Sequence, residues 1–475
     1  MVHNLSKIDT HVFHIVGDAA DSLGYPCYAV GGYVRDLLLG RHSKDIDFVS
    51  VGQDSGINIA REVAHRLGSG AHVSIFRTYG TAQVKRGELE LEFVATRRES
   101  YKSDSRNPIV EEGTLDDDIS RRDFTINAMA VQVNAVGFGS LVDKFNGLQD
   151  LRDGIIRTPL DPDITFSDDP LRMMRAIRFA TQLQFTIEPV TFKAISRNAS
   201  RIEIITRERI ATELNKILLA PIPSIGIRLL SDCGLLALIL PELEAMKGVE
   251  IIKGRGHKDN FQHTLAVLDS VAQESDNLWL RWAALLHDIA KPVTKRWDEK
   301  VGWSFHNHNF VGAKMVPKIF RALKMPMGEP MRYVAKMVEL HMRPIALVED
   351  EVTDSAVRRL ITEAAEDLPD LMILCRADIT SRNQEKVKRH LQNFENVLRK
   401  MEDVTERDHL RNFAPPILGS EIMEVFALTP SRAVGDIKTK IKDAVLDGII
   451  PNDHDAAFEY MLSVAAEMGL KPVNK

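Results

Sequence analysis

Two aspartates, Asp45 and Asp47, stand one residue apart in the run "SKDIDFVSV". The run reads as a β-strand, in which side chains two apart point to the same face. Two carboxylates side by side repel each other, and strands are depleted in aspartate, so a cation between them is expected. Mg²⁺ is held by a few carboxylates together with substrate phosphates. The spacing predicts a magnesium site, although an isolated Asp-x-Asp is more often a solvated strand end or turn.

Neighbouring residues extend this chemistry. The pair Gly31-Gly32 lets a turn approach a ligand closely, and a helix that starts near Tyr33 would aim its N–H groups at a phosphate. Glu92, on the run "LELEF", is the candidate third carboxylate. These parts suit in-line transfer at phosphorus with two metal ions, one activating an attacking hydroxyl and one neutralising a triphosphate.

Several motifs resemble one known family in the same order along the chain. "GGYVRDLLLG" followed by "DIDF" resembles the first motif of the class II tRNA nucleotidyltransferase and bacterial poly(A) polymerase family. "RRDFTINAMA" resembles its second motif, which implies ribose and nucleotide binding, and "DDPLRMMRAIRF" resembles its base-reading motif, with Asp168 in place of the usual glutamate. "RERIATELNKIL" resembles the helix that supports the base pocket, and residues 431–453 resemble the C-terminal RNA-binding tail.

The candidate residues of this first site follow from the carboxylates and the motifs. The catalytic candidates are Asp45, Asp47 and Glu92, and the nucleotide-binding candidates are Gly31, Gly32, Arg35, Arg122, Asp123, Asn127, Asp169, Arg172, Arg175 and Arg178. The arginines of the third motif recur every three residues, so they are expected to contact the triphosphate or RNA backbone; a solvated helix face is the alternative.

Asp169 and Arg172 could choose the base. Three residues apart on a predicted helix, they would share one face. The carboxylate would accept from the amino group of cytosine or adenine, and the guanidinium would donate to the neighbouring ring nitrogen. Uracil and guanine present a carbonyl where the amino group should be, so they would be rejected without any template. The alternative is a surface salt bridge, worth about a few tenths of a kcal/mol.

The segment between the first two motifs, "TRRESYKSDSRNPIVEEGTLDDDISRRDF", is polar and has no periodicity, so a loop is predicted. It resembles the flexible loop of relatives that add the whole CCA sequence, which relatives that add only CC lack. A disordered insertion is the alternative.

A second constellation resembles the HD superfamily of metal-dependent phosphohydrolases. "FQHTLAVL", "ALLHDIAKP" and "CRADIT" supply its ligands in order: His263, His287, Asp288 and Asp378. Imidazole and carboxylate together suit Mn²⁺, Fe²⁺, Ni²⁺ or Zn²⁺. His308 and His341 resemble further positions of the superfamily, for a second metal or a phosphate, whereas His306 is interpreted as a bystander. A structural site that binds an ion without hydrolysis is the alternative.

The elements that must position these residues form two kinds of region. The runs "CYAV", "IDFVSV", "LELEFVAT" and "AMAVQV" read as strands, and "YVRDLLLG" as a short helix closed by Gly40. From "SDDPLRMMRAIRFATQL" onward the apolar spacing is helical. The predicted fold class is α+β, an α/β head before an all-helical neck, body and tail, and the family resemblance implies that the head is a polymerase β-like nucleotidyltransferase domain. The predicted boundaries are 1–155 for the head, 156–250 for the neck, 251–400 for the HD domain and 401–475 for the tail.

Composition limits the setting. The net charge of −6 means that any RNA-binding surface must be local. Three scattered cysteines form no Cys-x-x-Cys, which indicates a reducing compartment and no zinc-thiolate site. The sequence shows no signal-like stretch and no apolar run long enough for a bilayer, so a cytoplasmic protein without a membrane partner is expected.

The resulting hypothesis is a CCA-adding tRNA nucleotidyltransferase, which joins CMP, CMP and AMP from CTP and ATP to the tRNA 3′ end and releases pyrophosphate. This hypothesis includes Mg²⁺ in the head, a transition metal at the HD site and an additional HD phosphohydrolase activity. The alternatives are a poly(A) polymerase or partial CC- or A-adding enzyme, an HD-type nucleotide phosphohydrolase whose head only binds RNA, and a non-catalytic RNA-binding protein. The oligomeric state is left open.

Overall fold

The chain forms two compact units in a computed structural model that describes residues 10–43, 45–77, 80–100, 109–344, 353–379, 384–408 and 416–473. The first unit comprises residues 1–244 with 322–325, and the second comprises residues 245–321 with 326–475. The four domain boundaries predicted above remain predictions, since this division is coarser.

The first unit is built on a sheet. Its strands are β1 (Cys27–Val30), β2 (Asp45–Ser50), β3 (His72–Phe76), β4 (Thr81–Arg86), β5 (Leu89–Ala95), β6 (Arg97–Ser100), β7 (Ile109–Glu112), β8 (Ala130–Gln132) and β9 (Leu141–Val142). Seven of them form one sheet in the order β3-β4-β5-β2-β1-β8-β9, in which β2 and β5 run parallel. The buried rings of Phe48 and Phe93 stack with centroids 5.1 Å apart, which ties these two strands together on the core side.

The helices of this part of the chain are α1 (His11–Leu23), α2 (Gly32–Leu39), α3 (Ser55–Leu67), α4 (Leu115–Ser120) and α5 (Gly147–Asp153). Of these, α2 and α3 pack directly on strands of the sheet. The four strands and the helix expected from the sequence are present, and Gly40 ends α2 in the left-handed conformation with φ 71°. Strands β3 and β4 and helices α1 and α3 were not predicted.

The prediction of a plain loop between the first two motifs is wrong where the structure describes it. Strands β6 and β7 pair as an antiparallel hairpin, and α4 follows. Thr114 and Asp117 form a capping box at the start of α4, because the side chain of each accepts from the backbone N–H of the other. Residues 101–108 of the segment lie outside the described residues.

The rest of the first unit is helical. Its helices are α6 (Pro162–Asp168), α7 (Leu171–Leu183), α8 (Pro189–Asn198), α9 (Arg207–Leu218), α10 (Pro223–Asp232), α11 (Leu235–Ile239) and α12 (Pro241–Glu244). Helix α7 packs against α9 and α10. A two-stranded parallel pair, β10 (Ile155–Ile156) with β11 (Thr186–Ile187), joins this part, and the helical spacing did not indicate it.

The second unit is mostly helical. Its helices are α13 (Asn260–Glu274), α14 (Leu278–Leu286), α15 (Lys291–Thr294), α16 (His308–Ala322), α17 (Glu329–Leu340), α18 (Asp354–Ala364), α19 (Leu368–Asp378), α20 (Gln384–Asp408), α21 (Gly419–Phe426), α22 (Arg432–Leu446) and α23 (His454–Glu467). Two hairpins interrupt it: β12 (Ile251–Ile252) with β13 (Arg255–Gly256), and β14 (Arg296–Asp298) with β15 (Gly302–Ser304). The last three helices bury a cluster of their own, which includes Ile422, Ile437 and Met461.

The predicted fold class, an α/β head followed by a helical body, is confirmed, and the short strand pairs are additions to it. Throughout the described residues, the helices lack the combination of length and apolarity that crossing a membrane requires.

Candidate functional site

The head carboxylates lie on one face of two neighbouring strands. Parallel pairing of β2 with β5 sets Asp47 opposite Glu92 and Asp45 opposite Glu90. Desolvation and the negative charge of Asp47 raise the pKa of Glu92. Burial raises the pKa of Asp47 too; the positive charge of Arg122 opposes this and Asp45 reinforces it. The carboxylates therefore act on one another electrostatically, and their mutual repulsion favours a cation between them.

The glycine turn meets these carboxylates. Gly31 has φ 73°, and a Cβ placed there would lie 3.0 Å from Arg122 Nη1 and 3.8 Å from Asp47 Oδ2. Helix α2 begins at the next residue, with Gly31 as its N-cap. A ligand beside Asp47 would thus face the first N–H groups of this helix and the guanidinium of Arg122, which is a setting for phosphate.

Asp118 positions the arginines of the second motif, and the sequence interpretation missed it. Its fully buried carboxylate accepts from Arg121 Nε at 3.1 Å and from Arg122 Nη2 at 2.9 Å. Burial would raise the pKa of Asp118, but the charges of Arg122 and Arg121 hold it below its ordinary value. Arg121 and Arg122 follow Asp118 by three and four residues, the spacing at which side chains meet on a helix. The sequence could therefore have indicated these contacts.

Four of the nucleotide-binding candidates form one hydrogen-bonded network. Arg35 Nη1 donates to Asn127 Oδ1 at 2.9 Å, and Asn127 Nδ2 donates to Asp123 Oδ1 at 3.0 Å. Arg175 Nε donates to the other oxygen of Asp123 at 2.7 Å. This network joins α2, the 3₁₀ turn at Thr125–Asn127 and α7, so it holds the first, second and third motifs together.

Asp169 and Arg172 are close, but the expectation that both lie on one helix is wrong. Helix α7 begins at Leu171, and Asp169 is extended with φ −136° and ψ 98°. The physical reason is Pro170, because a proline disfavours helical conformation at the residue before it. Asp169 Oδ1 accepts from Leu171 N–H at 3.2 Å, and its backbone oxygen accepts from Arg172 N–H at 3.0 Å.

The alternative for these two residues was a surface salt bridge between them, but the polar contacts of their side chains lead to other residues. Asp169 forms its ion pair with Arg209, across 3.8 Å. Arg172 Nη2 instead donates to the backbone oxygen of Arg121 at 2.7 Å. Arg172 is therefore anchored to the second motif, beside the turn that carries Arg122.

Arg178 does not lie on a solvated helix face. Its Nε is 2.8 Å from Glu213 Oε2, and the two side chains are 11% and 5% exposed. The guanidinium also lies 4.1 Å from the centroid of the Phe179 ring, which Arg35 and Arg175 approach at 4.9 and 5.4 Å. Glu213 lies on α9, the helix whose motif resembles the support of the base pocket, but nothing in the sequence indicated which of its side chains would reach Arg178.

The predicted HD residues come together in the second unit as two groups of three ligands. Within each group the ligand atoms lie within 4.8 Å of one another, and the groups are His263, His287, Asp378 and Asp288, His308, His341. The two groups touch, since His287 Nε2 lies 3.3 Å from Asp288 Oδ2 while His308 Nε2 lies 3.3 Å from Asp288 Oδ1. In the described part of the chain, no group of this kind includes the head carboxylates.

Three of these imidazoles have a fixed tautomer. The Nδ1–H groups of His287, His308 and His341 donate to backbone oxygens at 2.8, 2.8 and 2.7 Å. In the neutral form, each Nε2 atom therefore offers a lone pair to a metal ion, and each is buried without a hydrogen-bond partner. Buried polar atoms are normally satisfied, so three such lone pairs around two carboxylates fit a metal ion.

His287 and Asp288 directly follow helix α14, which ends at Leu286, and His287 keeps helical backbone angles as its C-cap. Lys291 Nζ lies 2.6 Å from Asp288 Oδ2, a contact that the sequence interpretation missed although the spacing is three residues. His306 is exposed and belongs to neither ligand group.

The fold and these two sites define a nucleotidyltransferase head joined to an HD domain, and comparison with known proteins agrees. The Poly A polymerase head domain model matches residues 27–157, the model of a probable RNA and SrmB-binding site of polymerase A matches 184–247, and the HD domain model matches 260–383.

Relatives span nearly the whole chain. The A-adding tRNA nucleotidyltransferase of Deinococcus radiodurans is 34% identical over 90% of this chain and 93% of its own. The CC-adding enzyme of Thermus thermophilus is 30% identical over 90% and 92%. A multifunctional CCA protein of Pseudomonas fluorescens is 34% identical over 63% and 70%. A solved tRNA nucleotidyltransferase complexed with a primer tRNA and an incoming ATP analogue shares 27% identity and a TM-score of 0.57, over 81% of this chain and 99% of that one.

The chain therefore belongs to the tRNA nucleotidyltransferase family, which confirms the family predicted from the motifs.

Proposed function

We propose that the chain adds CMP, CMP and AMP in turn to the 3′ end of tRNA, taking them from CTP and ATP. The register that sets Asp47 opposite Glu92, beside the Gly31 turn, is the observation that carries this proposal. The names of the relatives support the substrate, because two of them are an A-adding and a CC-adding tRNA nucleotidyltransferase and the third is a CCA protein.

The chemistry follows from the positions of the head groups. The terminal hydroxyl oxygen of the tRNA attacks the α-phosphorus, a new P–O bond forms, and the bond to the β-phosphate breaks with release of pyrophosphate. Asp45, Asp47 and Glu92 would hold Mg²⁺, which supplies charge neutralisation and a more acidic hydroxyl. Arg122 and the first N–H groups of α2 would bind the triphosphate, and the network around Asp123 would hold the surrounding elements in place.

Asp169 and Arg172 would read the base. Although Asp169 precedes the helix, it still lies within one turn of Arg172, so a carboxylate and a guanidinium can face one base edge. The carboxylate would accept a hydrogen bond from the amino group of the base, and the guanidinium would donate one to the ring nitrogen. Cytosine and adenine fit this pattern equally well. The anchoring of Arg172 to Arg121 would set the direction of the guanidinium.

Partial addition, of CC or of A alone, remains the alternative, since the full-length relatives named above include one of each kind. Transcripts that lack CCA, that end in C and that end in CC, each incubated with CTP and ATP together and with each alone, one nucleotide being labelled, distinguish the three activities. A complete enzyme extends all three transcripts to CCA. An A-adding enzyme extends only the CC-ended transcript with ATP, and a CC-adding enzyme stops before the adenosine.

We further propose that the HD site is hydrolytic, as a phosphatase or a 2′,3′-cyclic phosphodiesterase that requires a transition metal. The support is the set of three buried Nε2 lone pairs, because imidazole-rich donor sets favour Mn²⁺, Fe²⁺, Ni²⁺ or Zn²⁺ over Mg²⁺. The two ligand groups, which share the space around Asp288, suit two ions. Metal analysis of the purified protein, followed by phosphate-ester hydrolysis assays with Mn²⁺, Ni²⁺ and Mg²⁺, tests this. Bound metal without hydrolysis of any ester would leave a structural site only.

A further inference from the structure

The two hairpins of the second unit lead directly into metal-site helices. Hairpin β12–β13 precedes α13, whose first turn carries His263. Hairpin β14–β15 follows the His287-Asp288 pair and leads into α16, whose first residue is His308. The two hairpins lie against each other through β13 and β15. They therefore belong to the surroundings of the HD site, although neither supplies a ligand to the two groups.

These hairpins share an aromatic cluster. Trp297 and Trp303 are cross-strand partners, with ring centroids 5.2 Å apart. His257, which follows the first hairpin, packs edge-on against Trp303 at 5.4 Å and Phe305 at 5.8 Å. All four side chains are only partly buried. Aromatic rings that keep part of their surface in solvent can take part in stacking with a ligand.

Cations accompany the rings. Lys295 Nζ lies 5.2 Å from the centroid of Trp303, and Lys291 Nζ lies 5.8 Å from that of Phe305. Segments 249–258 and 291–305 together contain seven lysines or arginines and three acidic residues, in a chain whose net charge is −6. The hairpins are thus locally basic, and this is the charge that a polyanion requires.

The cluster is continuous with the metal site. Lys291 contacts both the Phe305 ring and, at 2.6 Å, the carboxylate of Asp288. The backbone oxygen of Phe305 accepts the Nδ1–H of His308 at 2.8 Å and so orients that ligand. A molecule stacked on the rings would therefore have an end beside the two ligand groups.

We propose that this aromatic and basic surface, formed by His257, Trp297, Trp303, Phe305, Lys291 and Lys295, binds single-stranded RNA and presents its 3′-terminal phosphate ester to the HD site. The proposal rests on the hydrolytic function proposed above. Rings stack on bases of every kind, and ammonium groups bind the backbone phosphates, which is the combination that single-strand binding uses. With a terminal cyclic phosphate, water would form one new P–O bond, one ester P–O bond would break, and a hydroxyl and a phosphate monoester would remain.

Photocrosslinking tests the binding directly. An oligoribonucleotide of about ten nucleotides with 4-thiouridine at its 3′ end and a free 3′ hydroxyl would be irradiated with the metal-loaded full chain, and crosslinked peptides identified by mass spectrometry. The expected result is crosslinking within residues 249–258 or 291–305. Crosslinks confined to other segments would overturn the proposal, because the RNA would then be bound elsewhere on the chain and not by the hairpins.

Kinetics test what the surface does. Trp297→Leu retains apolar volume but removes the ring, so it should raise the KM for an oligoribonucleotide ending in a 2′,3′-cyclic phosphate about tenfold, since one stacked base is worth roughly 1–3 kcal/mol. Trp297→Phe should restore most of the affinity. Hydrolysis of β-glycerophosphate, which has no ring to stack, should change less than twofold in both variants. Equal losses on the two substrates would show that the residue supports only the fold and would overturn the proposal.

The charge of Lys295 offers a second measurement. Lys295→Ala should reduce the slope of log KM against the logarithm of the salt concentration by about 0.7 for each backbone phosphate that the ammonium group binds. Lys318 is an exposed lysine of α16, so Lys318→Ala should leave this slope unchanged. Equal slopes for Lys295→Ala and the parent protein would remove phosphate binding from the proposal.

Crosslinking at the hairpins without hydrolysis of any ester would refute only the hydrolytic function. Hydrolysis without hairpin crosslinks would refute only RNA binding by this surface.

Discussion

The two candidate metal sites of this chain are built in opposite ways. In the head, Asp45, Asp47 and Glu92 project from paired strands, and Asp45 and Glu92 are exposed. In the second unit, His287 and Asp288 are almost completely buried, and their ligand atoms lie in two tight groups. The head offers oxygen ligands only, whereas the HD site combines nitrogen and oxygen.

This difference indicates how each site would acquire its ion. Exposed carboxylates leave most of the coordination sphere to water and substrate phosphates, so metal and nucleotide would arrive together. Fixed tautomers and buried lone pairs are already ordered for a resident ion. The head is therefore expected to respond to the concentration of free Mg²⁺, and the HD site to retain its metal through purification.

Removal of one head carboxylate should give the largest effect. Asp47→Ala is expected to reduce nucleotide addition by about 10³-fold or more, because several kcal/mol of charge stabilisation disappear. Binding of tRNA and HD hydrolysis should be nearly unchanged. Glu90→Gln is the matched control, since Glu90 lies on the same face but pairs with Lys85 at 3.6 Å. Near-normal addition by Asp47→Ala would contradict the metal assignment.

The reciprocal change concerns the HD site. The double substitution His287→Ala with Asp288→Ala should remove bound metal and lower hydrolysis by about 10²-fold or more, while nucleotide addition is retained. His308→Ala should lose metal in part, and the matched control His306→Ala should not, because His306 is exposed only two residues away. Inductively coupled plasma analysis with both activity assays provides the measurement. Loss of nucleotide addition in a variant with an intact fold would show that the two sites are not separable.

Base choice should be affected next. Arg172→Ala is expected to lower the rate of CTP and ATP addition by about 10²-fold and to reduce discrimination against UTP and GTP, because a donor to the ring nitrogen is lost. The values of kcat/KM for all four nucleotides provide the measurement. Arg197→Ala, at an exposed ion pair on α8, is the control. Unchanged rejection of UTP and GTP would assign base reading to another group.

The smallest effect is one of stability. Glu213→Ala leaves the Arg178 guanidinium buried without its carboxylate, so the first unit should lose about 3 kcal/mol of unfolding free energy. Glu208→Ala, exposed on the same helix, should cost less than about 0.5 kcal/mol. All four tryptophans lie between residues 279 and 303, in the second unit, so amide hydrogen exchange in urea is the suitable measurement. A loss below about 1 kcal/mol would imply that Arg178 finds water or another acceptor.

Local patterns were sufficient for much of the chain. The period of two in β2 placed Asp45 and Asp47 on one face, and the Gly31 turn before α2 followed from backbone freedom. Pro170 carried the information that Asp169 precedes its helix, although the prediction did not use it. The polar hairpin β6–β7 was missed because its strands lack the apolar alternation by which strands are recognised.

The sequence by itself determined the fold class, the family and the order of the candidate residues, because periodicity and motif spacing are local properties. Only the tertiary structure decided the register that sets Glu92 opposite Asp47, the residue of α9 that pairs with Arg178, and how six HD ligands divide into two groups. Those contacts join residues far apart in the chain. They depend on how whole elements pack, and a pattern within one element does not specify its neighbour.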